Sequence, residues 1–158
     1  MNRTALHQKR ALMEGKIIIG IDPTKRKHQA AIVGSDGILL GNSFSFPVNH
    51  AGFTTLLWKH INRILPGCTP ETVVFALETS CNLWQTFAFY LTSVMGYTIV
   101  LVSPVSTHHA RPILDLDFSR TDPKDAYLVA TIAQRGAYHH YEQFPPESNA
   151  THQLAITY

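Results

Sequence analysis

Of the 11 acidic residues in this 158-residue chain, four stand where a carboxylate can do more than keep a surface soluble. Asp22 closes the apolar run that begins at Ile17, Glu78 closes the run that begins at Thr72, and Asp122 and Asp125 flank Pro123-Lys124 at the start of a helical pattern. If the two runs are neighbouring parallel strands, their acids emerge side by side at one sheet edge, where the ligand crevices of α/β sheets lie. Residues three apart share a helix face, so Asp125 can join Asp122 in presenting oxygen to the same place. Two unit charges about 4 Å apart repel by roughly 4 kcal/mol at an effective dielectric of 20, so ionised carboxylates converge most readily around a divalent cation. Hard oxygen donors with retained water suit Mg2+, with Mn2+ as its substitute. Two such ions about 4 Å apart support in-line cleavage or transfer of a phosphodiester.

Simpler uses exist for each of these residues. Asp122-Pro123-Lys124-Asp125 is what a helix start requires: Asp as N-cap, Pro at the first helical position, and a second acid favourable to the dipole. Asp22 before Pro23 can end a strand, and Glu78 can be an exposed strand terminus. It is their joint occurrence in this order that favours a metal site. Asp115 and Asp117 fall in an irregular stretch and read as solvated loop acids. The 9 histidines include the adjacent pairs His108-His109 and His139-His140, whose neighbours diverge and do not preform a transition-metal site. Ser80, Ser103 and Ser106 lie near strand ends, but none has the Gly-x-Ser-x-Gly setting of a nucleophile elbow.

The elements that must position the acids follow from periodicity. Lys16 to Asp22, His28 to Val33 and Ile38 to Phe46 read as a three-stranded antiparallel meander, broken by a polar turn and by Ser35-Asp36-Gly37. From Asn49 the period changes. Phe53, Leu56, Leu57, His60, Ile61, Ile64 and Leu65 recur at helical steps until Pro66-Gly67. Thr72 to Leu77 is a fourth strand, Leu83 to Met95 a second helix stopped at Gly96, and Tyr97 to Val102 a fifth strand. Ser103-Pro104 leads into a histidine-bearing segment and a last helix over about 123–137. This order predicts an α/β, RNase H-like mixed five-stranded sheet with helices on both faces. Trp58, Trp84, Phe87 and Tyr90 fall mainly at helical spacing and should pack against that sheet rather than stack on bases.

Composition bounds the rest. With 45% hydrophobic residues the chain suits one domain able to bury a substantial core. The expected division is a basic N-terminal arm over 1–15, mobile or partly helical, a catalytic domain over 16–141, and a linker over 142–158 towards a missing C-terminal region. The 2 cysteines, Cys68 and Cys81, form neither a zinc nor a disulfide pattern, so a reducing cytoplasm is the expected compartment. No apolar run approaches the roughly 20 residues of a membrane span, and the first sixteen residues lack the apolar core and cleavage site of a signal peptide. The formal net charge of +2 permits nucleic-acid contact without arguing for it. Locally, Lys25, Arg26 and Lys27 cluster after the first strand, where either a phosphate backbone or solvent could meet them.

Gly20-Ile21-Asp22, Ala76-Leu77-Glu78-Thr79 and Arg120-Thr121-Asp122-Pro123-Lys124-Asp125-Ala126 together resemble the DEDD signature of RuvC-like insertion-sequence transposases, the insertion-sequence one-ten family related to the Piv invertases. The resemblance runs from about Ile17 to Ala137. It implies that Asp22, Glu78, Asp122 and Asp125 are metal-binding catalytic carboxylates, with Asp22 bridging two ions; beside them Lys25, Arg26, Lys27, Arg120 and Lys124 are the expected nucleic-acid contacts. It implies DNA as substrate, a structured guide RNA, and a homo-oligomer of a longer protein whose second domain carries a nucleophilic serine beyond a helical coiled-coil region. Nothing in this chain matches that second domain. Two positions depart from the pattern: Arg120 stands where the family has Lys, and Ser80-Cys81-Asn82 replaces a Gly-rich stretch.

Two other functions compete. Sugar kinases and actin-like ATPases also open with a Gly-Ile-Asp strand and a Thr-bearing phosphate turn, but Pro23 stands where their glycine belongs, and the chain is short for two lobes. A non-catalytic module that binds nucleic acid and oligomerises, with structural acids, is the third reading.

Overall fold

The computed structural model describes residues 3–80, 82–108 and 123–141. Its elements are α1 (Arg3–Met13), β1 (Ile17–Asp22), β2 (Lys27–Val33), β3 (Leu39–Pro47), α2 (Leu57–Ile64), β4 (Val73–Glu78), α3 (Gln85–Phe89), β5 (Thr98–Val102), α4 (Pro123–Gln134) and β6 (His139–His140). π-helical turns over Gly52–Leu56 and Tyr90–Val94 precede α2 and follow α3.

One six-stranded sheet has the order β3-β2-β1-β4-β5-β6. The meander β1-β2-β3 is antiparallel, whereas β4 runs parallel to both β1 and β5. All of β4 is buried, which is why its sequence is a continuous apolar run rather than an alternation. The sixth strand adds to the five expected: His139 and His140 pair with Leu101 and Val100, too short a stretch to leave a periodic mark.

The two sheet faces carry separate cores. Ile19, Ile21, Phe75 and Leu77 face α2 and α3, where Phe53, Leu57, Ile61, Phe87 and Leu91 complete the layer. Trp58 belongs to this packing: its indole stacks on Tyr97 and its Nε1–H donates to the Tyr90 hydroxyl at 2.8 Å. On the other face Ile18, Val74, Ala76, Val100 and Val102 meet Val129, Ala130, Ile132 and Ala133 of α4. Each large aliphatic side chain buried here is worth about 1.5–3 kcal/mol.

The N-terminal helix α1 docks on the far end of α4. Lys9 Nζ donates to the Tyr138 carbonyl at 2.7 Å, Arg10 Nε to the Arg135 carbonyl at 2.9 Å, and the Tyr138 hydroxyl to the Lys9 carbonyl at 2.9 Å. Basic side chains thus satisfy carbonyls of the segment that follows α4. Met13, 3% exposed, joins the α4 core.

Candidate active site

The register places Ile21 opposite Leu77, so Asp22 and Glu78 are the next residues of two parallel, hydrogen-bonded strands. Side chains alternate along a strand, and Ile18 and Val74 face α4. Asp22 and Glu78 therefore share the α4 face at the carboxyl end of the sheet, as expected from the sequence. Asp22 is half-buried, and Glu78 is only 8% exposed.

Gly20 decides how close α4 comes to this edge. A Cβ at Gly20 would lie 2.1 Å from the Ala126 carbonyl oxygen, 2.7 Å from the Ala130 nitrogen and 2.9 Å from the Ala130 Cβ. Only a residue without a side chain admits the helix backbone there. The first turn of α4 thus crosses β1 two residues before Asp22, and Asp125, half-buried, directly precedes the contact residue Ala126. At its other end α4 is held by Gln134, whose Nε2 donates to the Gly34 carbonyl at 2.9 Å.

Glu78 is held by a residue that the sequence does not single out. Thr107 Oγ1 donates to Glu78 Oε2 at 2.7 Å, and both side chains are buried. On the meander side, the turn after Asp22 is held by His28. The Thr24 backbone N–H donates to His28 Nδ1 at 3.1 Å, and Thr24 Oγ1 donates to the Lys27 carbonyl. His28 is fully buried against Phe46, Phe53 and Phe87. Desolvation by burial lowers its pKa from 6.5 to about 4. Among the described residues its Nε2 has no hydrogen-bond partner.

The basic cluster is exposed at all three positions, Lys25, Arg26 and Lys27. Their turn is firmly tied, since the Arg26 carbonyl accepts from the Val48 N–H at 2.9 Å. Asp122 and Arg120 lie outside the described residues, as do Asp115 and Asp117, and the side chain of Lys124 is likewise not described. Among the described residues, no group of three or more His, Cys, Asp or Glu is arranged to hold a metal ion. What the fold brings together is the pair Asp22 and Glu78, with the first turn of α4 packed over the same strand. These donors are hard carboxylate oxygens, and that chemistry fits Mg2+ or Mn2+.

Comparison with known proteins agrees with this architecture. A family model described as transposase, that of the DEDD transposases of the IS110 type, matches residues 19–157. RuvC of T. thermophilus in complex with a Holliday junction substrate is similar in structure, at 15% identity and a TM-score of 0.52, covering 80% of this chain and 99% of that one. Another Thermus thermophilus RuvC structure matches at 14% identity and a TM-score of 0.52, covering 79% of this chain and 99% of that one. These likenesses show an RNase H-like, RuvC-like fold. No curated protein matches the chain significantly. Among the described residues no helix is long and apolar enough to cross a membrane.

Proposed function

We propose, given that this chain belongs to the DEDD transposase family of the IS110 type, that it is the catalytic domain of a DNA transposase acting in the cytoplasm through a metal-dependent carboxylate site. The observation that carries the reading is the placement of Asp22 and Glu78 at adjacent carboxyl ends of β1 and β4, on the face that α4 covers. Asp122 and Asp125 would complete the ligand set from the start of α4. Mg2+, or Mn2+ in its place, would supply activation of the attacking oxygen and stabilisation of the leaving oxygen at the scissile phosphodiester. The chain's own contribution is to hold the ligands. Buried Glu78 is kept in place by a hydroxyl, and the turn after Asp22 is kept in shape by His28.

DNA is the proposed substrate; that the similar RuvC was captured with a Holliday junction supports it. Lys25, Arg26 and Lys27 would meet phosphates beside Asp22, and Arg120 and Lys124 would do so beside Asp122 and Asp125. Residues 16–141 form the proposed catalytic domain, preceded by the basic arm 1–15. A structured guide RNA and a homo-oligomer are the proposed partners of the assembly in which this domain would act. Strand transfer needs that assembly, so the chain alone should bind metal without robust transposition.

Calorimetric titration of Mn2+ and Mg2+ into the native chain and into Asp22→Asn and Glu78→Gln tests the site. Binding should be lost in both variants. Free ion at 100 times its dissociation constant should stabilise the native chain by about 2.7 kcal/mol and the variants by none. Equal binding by all three proteins would leave a nucleic-acid-binding module with structural acids.

A further inference from the structure

Glu78 is a carboxylate set into a nearly closed surface, and such a group does not keep a useful orientation unaided. The chain that orients it arrives from β5. Val102 pairs with Glu78 across the last rung of the β4–β5 ladder, and the Thr79 N–H donates to the Val102 carbonyl at 3.0 Å. Ser103 then turns the chain into a short helical segment over 104–108. Its Oγ accepts from the Ser106 N–H at 3.1 Å, and its carbonyl accepts from the Thr107 N–H at 3.3 Å. Proline after a capping serine is a favoured helix opening. One turn later Thr107 lies back over the end of β4, 3% exposed.

The Thr107 hydroxyl has one proton and two acceptors within reach: Glu78 Oε2 at 2.7 Å and the Pro104 carbonyl at 2.9 Å. A hydroxyl back-bonded to a carbonyl in its own helix is common and weak. A hydrogen bond to an ionised acceptor is shorter and roughly twice as strong as a neutral one. Both distance and charge therefore assign the proton to Glu78. We propose that Thr107 is a positioning residue for Glu78, its hydroxyl fixing one carboxylate oxygen so that the remaining lone pairs are presented to a bound cation in one orientation. This rests on the reading of Asp22 and Glu78 as cation ligands. Hydrogen-bonding partners of metal ligands typically change affinity by about 10–100-fold when removed.

The test uses the full chain, Mn2+ alone as probe, and calorimetry as readout. Thr107→Val keeps the shape and removes the donor; Thr107→Ser keeps the donor and removes a methyl. The valine variant should bind Mn2+ about 10–100-fold more weakly than the native chain, and the serine variant should recover native affinity. Thr107→Ala, which needs less room, gives the same comparison if the valine variant fails to fold. A purely structural threonine would instead lower the metal-free melting temperature in the serine and alanine variants alike, with Mn2+ affinity unmoved in both. If Glu78→Gln abolishes binding while the valine or alanine variant binds as the native chain does, the positioning role is overturned and the metal site stands. If Glu78→Gln itself binds as tightly as the native chain, the site falls and the role of Thr107 falls with it.

Discussion

A single buried imidazole gives the fold a pH dependence that carboxylates alone would not. His28 accepts the Thr24 N–H through Nδ1, and among the described residues its Nε2, set among aromatic rings, has no hydrogen-bond partner. Protonation therefore means burying a charge beside Phe46, Phe53 and Phe87, and the pKa falls from 6.5 to about 4. Between those values the unfolded chain holds the proton and the folded chain does not. Stability contributed here is complete above about 6.5 and is lost as pH falls towards about 4. The slope is at most about 1.4 kcal/mol per pH unit, so the loss is on the order of 3 kcal/mol. Urea denaturation of the native chain and of His28→Leu at pH values across that window should show the stability difference between them changing with pH below 6.5 and constant above it. A difference that stays constant throughout would mean that His28 is not held neutral.

At the scale of elements, the approach of α4 to β1 sets the geometry of the proposed site, and Gly20 is its control point. Gly20→Ala places a methyl carbon 2.1 Å from a helix carbonyl, a clash with backbone that no side-chain rotamer can relieve. Overpacking of this kind costs typically about 1–3 kcal/mol, and the first turn of α4 must lift from the sheet edge. Gly96→Ala is the control. Gly96 has φ +74 with nothing within 4 Å of an added Cβ, and it precedes β5 at the opposite end of the sheet from Glu78. It should lose about 1–2 kcal/mol through backbone conformation alone and keep native Mn2+ affinity, whereas Gly20→Ala should lose both stability and affinity. Equal affinity in the two variants would show that α4 does not set the site. The strands, α2 and the start of α4 could be read from period, turn residues and capping, because those signals are local. So could the acids, as carboxylates ending apolar runs. Thr107 could not: nothing periodic marks a hydroxyl that meets Glu78 across 29 positions of sequence. Nor could the docking of α1, which rests on Lys9 and Arg10 capping carbonyls more than 120 positions away rather than on a broad apolar stripe. β6 depends in turn on Tyr138, whose hydroxyl and carbonyl both bond to Lys9.

For the whole molecule, the distribution of charge matters more than its sum. A net charge of +2 produces little long-range attraction, yet three exposed cations follow Asp22 closely, two in the turn and one at the start of β2. That turn is tied by Thr24 to His28 and by Arg26 to Val48, so its backbone has little freedom left to lose on meeting a phosphate. On the proposed reading a strand approaching Asp22 and Glu78 would pass these cations, and they would offset the repulsion between its phosphates and the carboxylates. If all three make phosphate contacts, replacing Lys25, Arg26 and Lys27 with Gln removes three counterion-releasing contacts. The slope of log affinity against log salt should become shallower by about 2.7 on duplex DNA, from about 0.9 per contact, and by about 2.1 on a single strand. Fluorescence anisotropy with one labelled duplex across a salt series measures this directly. The loss should be uniform across sequences, since phosphate contacts position a strand without reading its bases. A slope unchanged by the triple substitution would make the cluster a solvated turn and move the nucleic-acid path elsewhere on the surface. A slope that changes together with lost Mn2+ binding would instead show that the turn shapes the metal site, because the cations themselves coordinate nothing.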